Sequence, residues 1–233
     1  MAQTSTGMRT MPESTGPQTL VVRGLGKNYQ GRWLFRGVQF DLVAGQGLAV
    51  TGANGSGKST MILCLAGQVE ADEGTLTWHY PTETPVHQSS QTAARAAKRP
   101  ALAAPYLELP GEFRVLELVN FHFSLNPCLS GHSPVEGLWA SGIDPHSPTL
   151  LKYYSSGMLQ KVRLVLALWT DTPLLLLDEP HSHLDAAALS WFRLSLRQTA
   201  ARRCWAMASN DPGEWDLCVH RIPLSQGPAS NTP

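Results

Sequence analysis

Gly52-Ala53-Asn54-Gly55-Ser56-Gly57-Lys58-Ser59-Thr60 decides the fold. The stretch fits G-x-x-x-x-G-K-[ST], in which glycines let the backbone wrap so that its N–H groups point inward at phosphate oxygens. A helix starting where the loop ends adds its positive N-terminus to the same anion. Lys58 supplies a point charge for the β and γ phosphates, and the Ser59 hydroxyl can ligate Mg2+. The flanks carry the context that such a loop needs. Leu48-Ala49-Val50 is a short buried strand entering it, and Ser59–Gly67, apolar at Ile62, Leu63, Leu65 and Ala66, is a helix ending at glycine. The stretch therefore binds a nucleotide, without saying what the nucleotide is used for.

A second chemistry-bearing stretch is Leu174-Leu175-Leu176-Leu177-Asp178-Glu179-Pro180. Four leucines after Pro173 are too short for a helix and make a buried strand. The two carboxylates then sit at its carboxyl end, where a parallel sheet binds ligands. Asp178 would hold Mg2+, and Glu179 would orient and polarise a water attacking the γ-phosphate.

Outward from these, short apolar strands alternate with helices. Thr19–Val22 and the alternating Val38, Phe40 and Leu42 read as strands, and Gly45-Gln46-Gly47 as a turn. Helices are expected at Val115–Phe123, Val135–Ser141, Ser156–Trp169, around Leu189, Phe192 and Leu196 with Asp185 as cap, and at Asp211–Leu217. Cys204–Ala208 is a last buried strand. The class is α/β, with a largely parallel sheet covered on both faces. Pro81–Pro100, rich in Thr, Ser, Gln and Ala, reads as a surface insertion or mobile loop.

Composition narrows the function. With 233 residues, one large domain or two small ones can form. Lys plus Arg and Asp plus Glu are both 18, so the chain lacks the basic excess of an electrostatic nucleic-acid or anionic-lipid binder. No apolar run exceeds six residues, which excludes a spanning segment, and Met1–Pro17 lacks the apolar core of a secretory signal. Cys64, Cys128, Cys204 and Cys218 have no metal-ligand spacing, and His181-x-His183 is weak as a metal pair.

Four further features complete a resemblance. Tyr154-Ser155-Ser156-Gly157-Met158 opens a helix with Ser155 placed 23 residues before Asp178. Ser182-His183-Leu184-Asp185 follows the acidic strand, Tyr29 lies 23 residues before Gly52, and Ser209-Asn210-Asp211 begins 30 residues after Glu179. In this order they resemble the signature loop, D-loop, adenine-stacking aromatic and switch region of ATP-binding cassette (ABC) ATPases. The resemblance covers roughly Thr19–Pro223. It implies a P-loop NTPase fold, the ABC-type nucleotide-binding domain, with an N-terminal antiparallel β portion and an inserted helical subdomain at roughly 106–169. Residues 1–18 become a flexible lead-in, 19–223 the ATPase domain and 224–233 a flexible tail. It further implies ATP and Mg2+ as ligands, and head-to-tail homo- or heterodimers in which the signature Ser155, Ser156 and Gly157 of one copy clamp ATP on the phosphate loop of the other. Separate transmembrane permease subunits would be driven from the cytoplasmic face of a membrane, with no nucleic acid involved. The short single-domain build resembles the cytochrome c biogenesis (haem-export) ATPases and other small exporters. The alternative is an ATP-binding regulatory or cytosolic assembly ATPase with weak or vestigial hydrolysis.

Three positions depart from the family pattern. Tyr154, Ser156 and Met158 replace the usual Leu, Gly and Gln of the signature. No Gln occurs between Gln91 and Gln160, where the family's Mg2+-facing glutamine is expected, and Glu108 is the nearest residue able to meet the metal. Asn210 stands where the switch histidine belongs; its amide can hydrogen-bond a phosphate but carries no charge. Hydrolysis that is slow, or asymmetric in a heterodimer, is expected.

Overall fold

The computed structural model describes residues 18–79 and 99–225. Most of the Pro81–Pro100 segment lies outside them, as do nearly all of the lead-in and tail. Thr19–Tyr29 (β1), Arg32–Val43 (β2) and Glu73–His79 (β4) form an antiparallel sheet in the order β2-β1-β4. Gly47–Thr51 (β3), Ala101–Ala103 (β5), Leu174–Asp178 (β6), Cys204–Ala208 (β7) and His220–Pro223 (β8) form a parallel sheet in the order β5-β6-β7-β3-β8. The helices are Lys58–Leu65 (α1), Val115–Leu125 (α2), Pro134–Ala140 (α3), Ser156–Trp169 (α4), Ala186–Thr199 (α5) and Pro212–Trp215 (α6).

The four-leucine strand shows why the parallel sheet is apolar throughout. Successive strand side chains point to opposite faces. Leu175 and Leu177 enter one core, with Val162, Val165 and Leu166 of α4 and Phe192 and Leu196 of α5. Leu174 and Leu176 enter the other, with Met61, Ile62 and Leu65 of α1 and Leu20, Val22 and Leu42 of the antiparallel sheet. β7 divides in the same way: Trp205 and Met207 go to the first core, Cys204, Ala206 and Ala208 to the second. Both faces are covered, as the uniform runs require.

Register then sets up the site. Val50 of β3 pairs with Ala208 of β7, and Ala208 pairs in turn with Asp178 of β6. Beyond the last rungs, the Glu179 N–H donates to the Ala208 carbonyl at 2.8 Å and the Ser209 N–H to the Val50 carbonyl at 3.2 Å. The phosphate loop, the acid pair and the switch segment therefore leave the sheet side by side.

Some boundaries differ from the sequence expectation. β1 runs on to Tyr29 because its hairpin partner β2 continues to pair with it through register shifts. Strands β4, β5 and β8 escape the sequence reading altogether: β5 has three residues, and β4 and β8 are largely half-exposed. The proposed tail start is corrected at Leu224, which is buried and whose N–H donates to the Thr51 carbonyl at 2.7 Å. At the other end, the Gln18 carbonyl accepts from the Ala44 N–H at 2.8 Å. Residues 106–169 hold α2, α3, a 3-10 turn at Leu151–Tyr153, and α4.

Leu177 is fully buried between β5 and β7 in the first core. Leu177→Ala removes that packing and is expected to cost about 2–5 kcal/mol, read as a lower urea midpoint at unchanged slope.

Candidate functional site

The backbone of the phosphate loop is shaped for an anion. Gly57 takes φ +99° just before α1, a left-handed conformation that glycine adopts without a Cβ penalty. No side chain caps the α1 N-terminus and no acid lies in its first turn, so its amides are left for an external acceptor. Lys58 is buried, and its Nζ donates to the Gly52 carbonyl at 3.1 Å and the Ala53 carbonyl at 3.4 Å. It also lies 3.7 Å from Glu179 Oε1. The ammonium thus rests on the loop's own carbonyls and on one acid, contacts that phosphate oxygens could replace.

Around it is an open cleft of about 570 Å³, lined by Leu34, Asn54, Gly55, Gly57, Lys58, Ser59, Thr60, Glu179, His181, Ser182 and Asn210. Phosphate loop, second acid and switch position share one space, although up to 156 residues separate them along the chain (Asn54 to Asn210). Asn210 donates its side-chain amide to Asn54 Oδ1 at 2.7 Å, tying the switch segment to the loop.

Asp178 lies beneath this cleft, 1% exposed. The hydroxyls of Ser59 and Tyr106 both donate to its carboxylate, while Oδ1 has no partner. Burial pushes its pKa above the usual carboxylate range, against the opposing pull of Ser59, Lys58 and Tyr106. A buried acceptor without a donor is costly. An orphaned carboxylate oxygen beside a serine hydroxyl fits a hard, oxygen-seeking divalent cation. Glu179 is likewise raised, chiefly by burial, with Lys58 and His181 pulling it down. It sits at φ +44°, a left-handed conformation that only a few per cent of non-glycine residues adopt.

Glu108, the acid expected to meet the metal, is not among the cleft residues. It is exposed, and Tyr106, two residues earlier, is the side chain that reaches Asp178. The turn leaving β5, with the Leu107 N–H donating to Ala104 O at 3.1 Å, brings Tyr106 there. Burial, reinforced by the Asp178 charge, pushes the Tyr106 phenol up to about 12, so it stays a donor at neutral pH. Tyr29 is not among the cleft residues; its ring is half-exposed, with Lys27 Nζ 5.2 Å from the centroid.

Ser155, Ser156 and Gly157 lie outside the cleft lining. Ser155 caps α4 by accepting the Met158 N–H at 3.2 Å. A Cβ on Gly157 would come within 2.6 Å of the His183 carbonyl oxygen, so only glycine lets the helix start rest on the turn after the acids. Further along α4, buried Gln160 donates to the Pro180 carbonyl at 3.2 Å, and Arg163 donates to Leu107 O at 2.6 Å. Asp185 caps α5 through the Ala188 N–H at 2.8 Å.

Three participants escaped the sequence reading: Tyr106, His181 and Glu214. His181 Nδ1 lies 3.0 Å from Glu214 Oε2 and its Nε2 3.5 Å from Glu179 Oε2. Tyr106 and His181 stood in stretches already singled out, but the acid that His181 meets is 33 positions away, beyond any local signal.

Known proteins resemble the chain over most of its length. Residues 35–182 match the ABC transporter family. The cytochrome c biogenesis ATP-binding export protein CcmA of Xylella fastidiosa (strain Temecula1) is 31% identical over 182 residues, 76% of this chain and 79% of that protein. A putative ribose/galactose/methyl galactoside import ATP-binding protein of Burkholderia ambifaria is also 31% identical, over 77% of this chain but 35% of its own length. A solved ATP-binding subunit of an ABC transporter superposes with a TM-score of 0.72 at 22% identity, covering 89% of this chain and 86% of that one. With the phosphate loop and acid pair converging on one cleft, and with relatives matched over most of its length, the chain belongs to the ABC transporter family and is an ATPase of that family.

Proposed function

We propose that the chain is the ATP-hydrolysing subunit of an export system: it dimerises around ATP and drives separate transmembrane subunits from the membrane surface. The observation that carries this reading is the convergence of Lys58, the Ser59–Asp178 pair and Glu179 at the carboxyl ends of β3 and β6. In it, the amides of Gly52–Thr60 cradle the phosphates and Lys58 leaves its carbonyl acceptors for phosphate oxygens. The exposed ring of Tyr29 is available to stack the adenine. Ser59 and Asp178 would hold Mg2+, with Tyr106 fixing the Asp178 carboxylate; the ion's part is to offset phosphate charge. Glu179 orients the attacking water.

Two considerations support dimerisation and partners. The signature residues lie outside the chain's own cleft lining, so in this reading a second copy, identical or not, supplies them to ATP. No helix among the described residues is long and apolar enough to cross a membrane, and the reading assigns the membrane conduit to separate subunits. Export is favoured over import because the export relative matches in length as well as identity, whereas most of the import relative has no counterpart here. A cytochrome c biogenesis setting, with haem export, follows that likeness.

A second reading, a regulatory or cytosolic assembly subunit with weak hydrolysis, is favoured by Asn210 and by Tyr106 where a glutamine is expected. Single-turnover ATP hydrolysis separates the two. Glu179→Gln is expected to leave ATP affinity unchanged and slow single-turnover cleavage about 100- to 10,000-fold; an unchanged rate removes Glu179 from the chemistry. Asn210→His, which restores a protonatable group, is expected to raise kcat roughly 10-fold, measured by phosphate release. No gain means that the site has adapted to the amide.

A further inference from the structure

We propose that His181 is a positioning residue for hydrolysis: anchored by the buried Glu214 carboxylate, it holds the Glu179 side chain in place once Lys58 has turned to the phosphates. The inference rests on Glu179 orienting the attacking water. His181 lines the same cleft as Lys58, Glu179 and Asn210. It sits in the tight turn after the acid pair, where the Ser182 N–H donates to Glu179 O and the Leu184 N–H to His181 O, both at 3.0 Å. Its Nδ1 edge is tied to Glu214 Oε2 at 3.0 Å, and its Nε2 edge faces Glu179 Oε2 at 3.5 Å.

Glu214 is the anchor. It is fully buried, accepts a second hydrogen bond on Oε2 from the Ser209 hydroxyl, and leaves Oε1 without a partner. A buried carboxylate needs a cationic or strongly donating neighbour; His181 is the ion-pair partner found for it among the described residues. Ser209 in turn is fixed by Asp211 and Trp215: its hydroxyl accepts from the Asp211 N–H at 3.0 Å and its carbonyl from Trp215 Nε1 at 3.2 Å. The imidazole is therefore clamped to the switch segment rather than free on a loop.

The two-sided arrangement has a chemical consequence. A neutral imidazole donating Nδ1–H to Glu214 would turn a lone pair toward the Glu179 carboxylate. Only the imidazolium donates at both nitrogens. The hydrogen bond to Glu214 raises the His181 pKa above its ordinary value; burial opposes it, and the charges of Glu214, Glu179 and Asp211 reinforce it. Glu179 meets Lys58 on Oε1 and His181 on Oε2. Phosphate oxygens compete for Lys58. The Nδ1 edge of His181 is committed to Glu214, which holds the ring beside Glu179. Asn210, in the same cleft, offers an amide already given to Asn54 and cannot carry charge.

The test is steady-state ATP hydrolysis by the purified full chain across pH, with ATP affinity measured alongside, for the wild type, His181→Gln, the double variant H181Q/E214Q, and Glu179→Gln. Raised His181 is protonated below its pKa and neutral above it, so wild-type kcat is expected to fall as pH climbs past the ordinary histidine value of about 6.5. A wild-type profile with no alkaline fall up to about pH 9 overturns the proposal. His181→Gln is expected to lower kcat about 10- to 100-fold with KM for ATP little changed, and to abolish that fall. The double variant, which removes the stranded buried charge and so answers for any folding defect in the single one, is expected to behave likewise. Wild-type kcat and profile in either variant overturn the role. Inactive Glu179→Gln beside an unaffected His181→Gln would sink this inference alone, whereas Glu179→Gln turning over normally would sink the reading of Glu179 beneath it.

Discussion

The site depends on one constraint, the alignment of three neighbouring parallel strands. Val50, Ala208 and Asp178 lie in one row across β3, β7 and β6. Their continuations, the phosphate loop, the switch segment and Glu179, leave the sheet at a common edge. Strand side chains alternate with period two, so a one-residue slip of β6 would exchange its two cores and carry Asp178 to the opposite face. The leucines of β6 anchor the strand through burial on both faces, and the run ends at Asp178. Packing of Leu174–Leu177 and placement of the acids are thus a single decision.

Around that row the polar groups are connected, with a few pointed gaps. Ser59 and Tyr106 serve one carboxylate, His181 and Ser209 another, and the remaining oxygens, Asp178 Oδ1 and Glu214 Oε1, lack partners. Buried acceptors of this kind are normally satisfied. Asp178 Oδ1, at the end of β6 beside Ser59, marks that spot as organised for charge that arrives from outside rather than for stability.

Much of this was readable from residue order. The phosphate loop, the apolar strands Leu48–Val50, Leu174–Leu177 and Cys204–Ala208, and the helix Ser156–Trp169 declare themselves because local pattern and tertiary role agree. The misses share a cause. Ala101–Ala103 is too short to show a period, and the half-exposed His220–Pro223 owes its strand character to pairing with β3. Charge singles out Glu108 in the sequence, whereas the turn after β5 brings the uncharged Tyr106 to Asp178. The His181–Glu214 contact joins the turn after β6 to the short helix α6, each unremarkable alone, and only the parallel sheet brings them together.

Gly157 and the His183 carbonyl, packed without room for a methyl group between them, give the molecule a mechanical property. The turn that follows the acid pair is the floor on which the start of α4 stands, and Gln160 fastens the same helix to the Pro180 carbonyl from above. The turn that carries the second acid and the signature end of α4 meet at this joint. Because the contact leaves no slack, a shift of that turn toward α4 would have to carry the start of the helix with it.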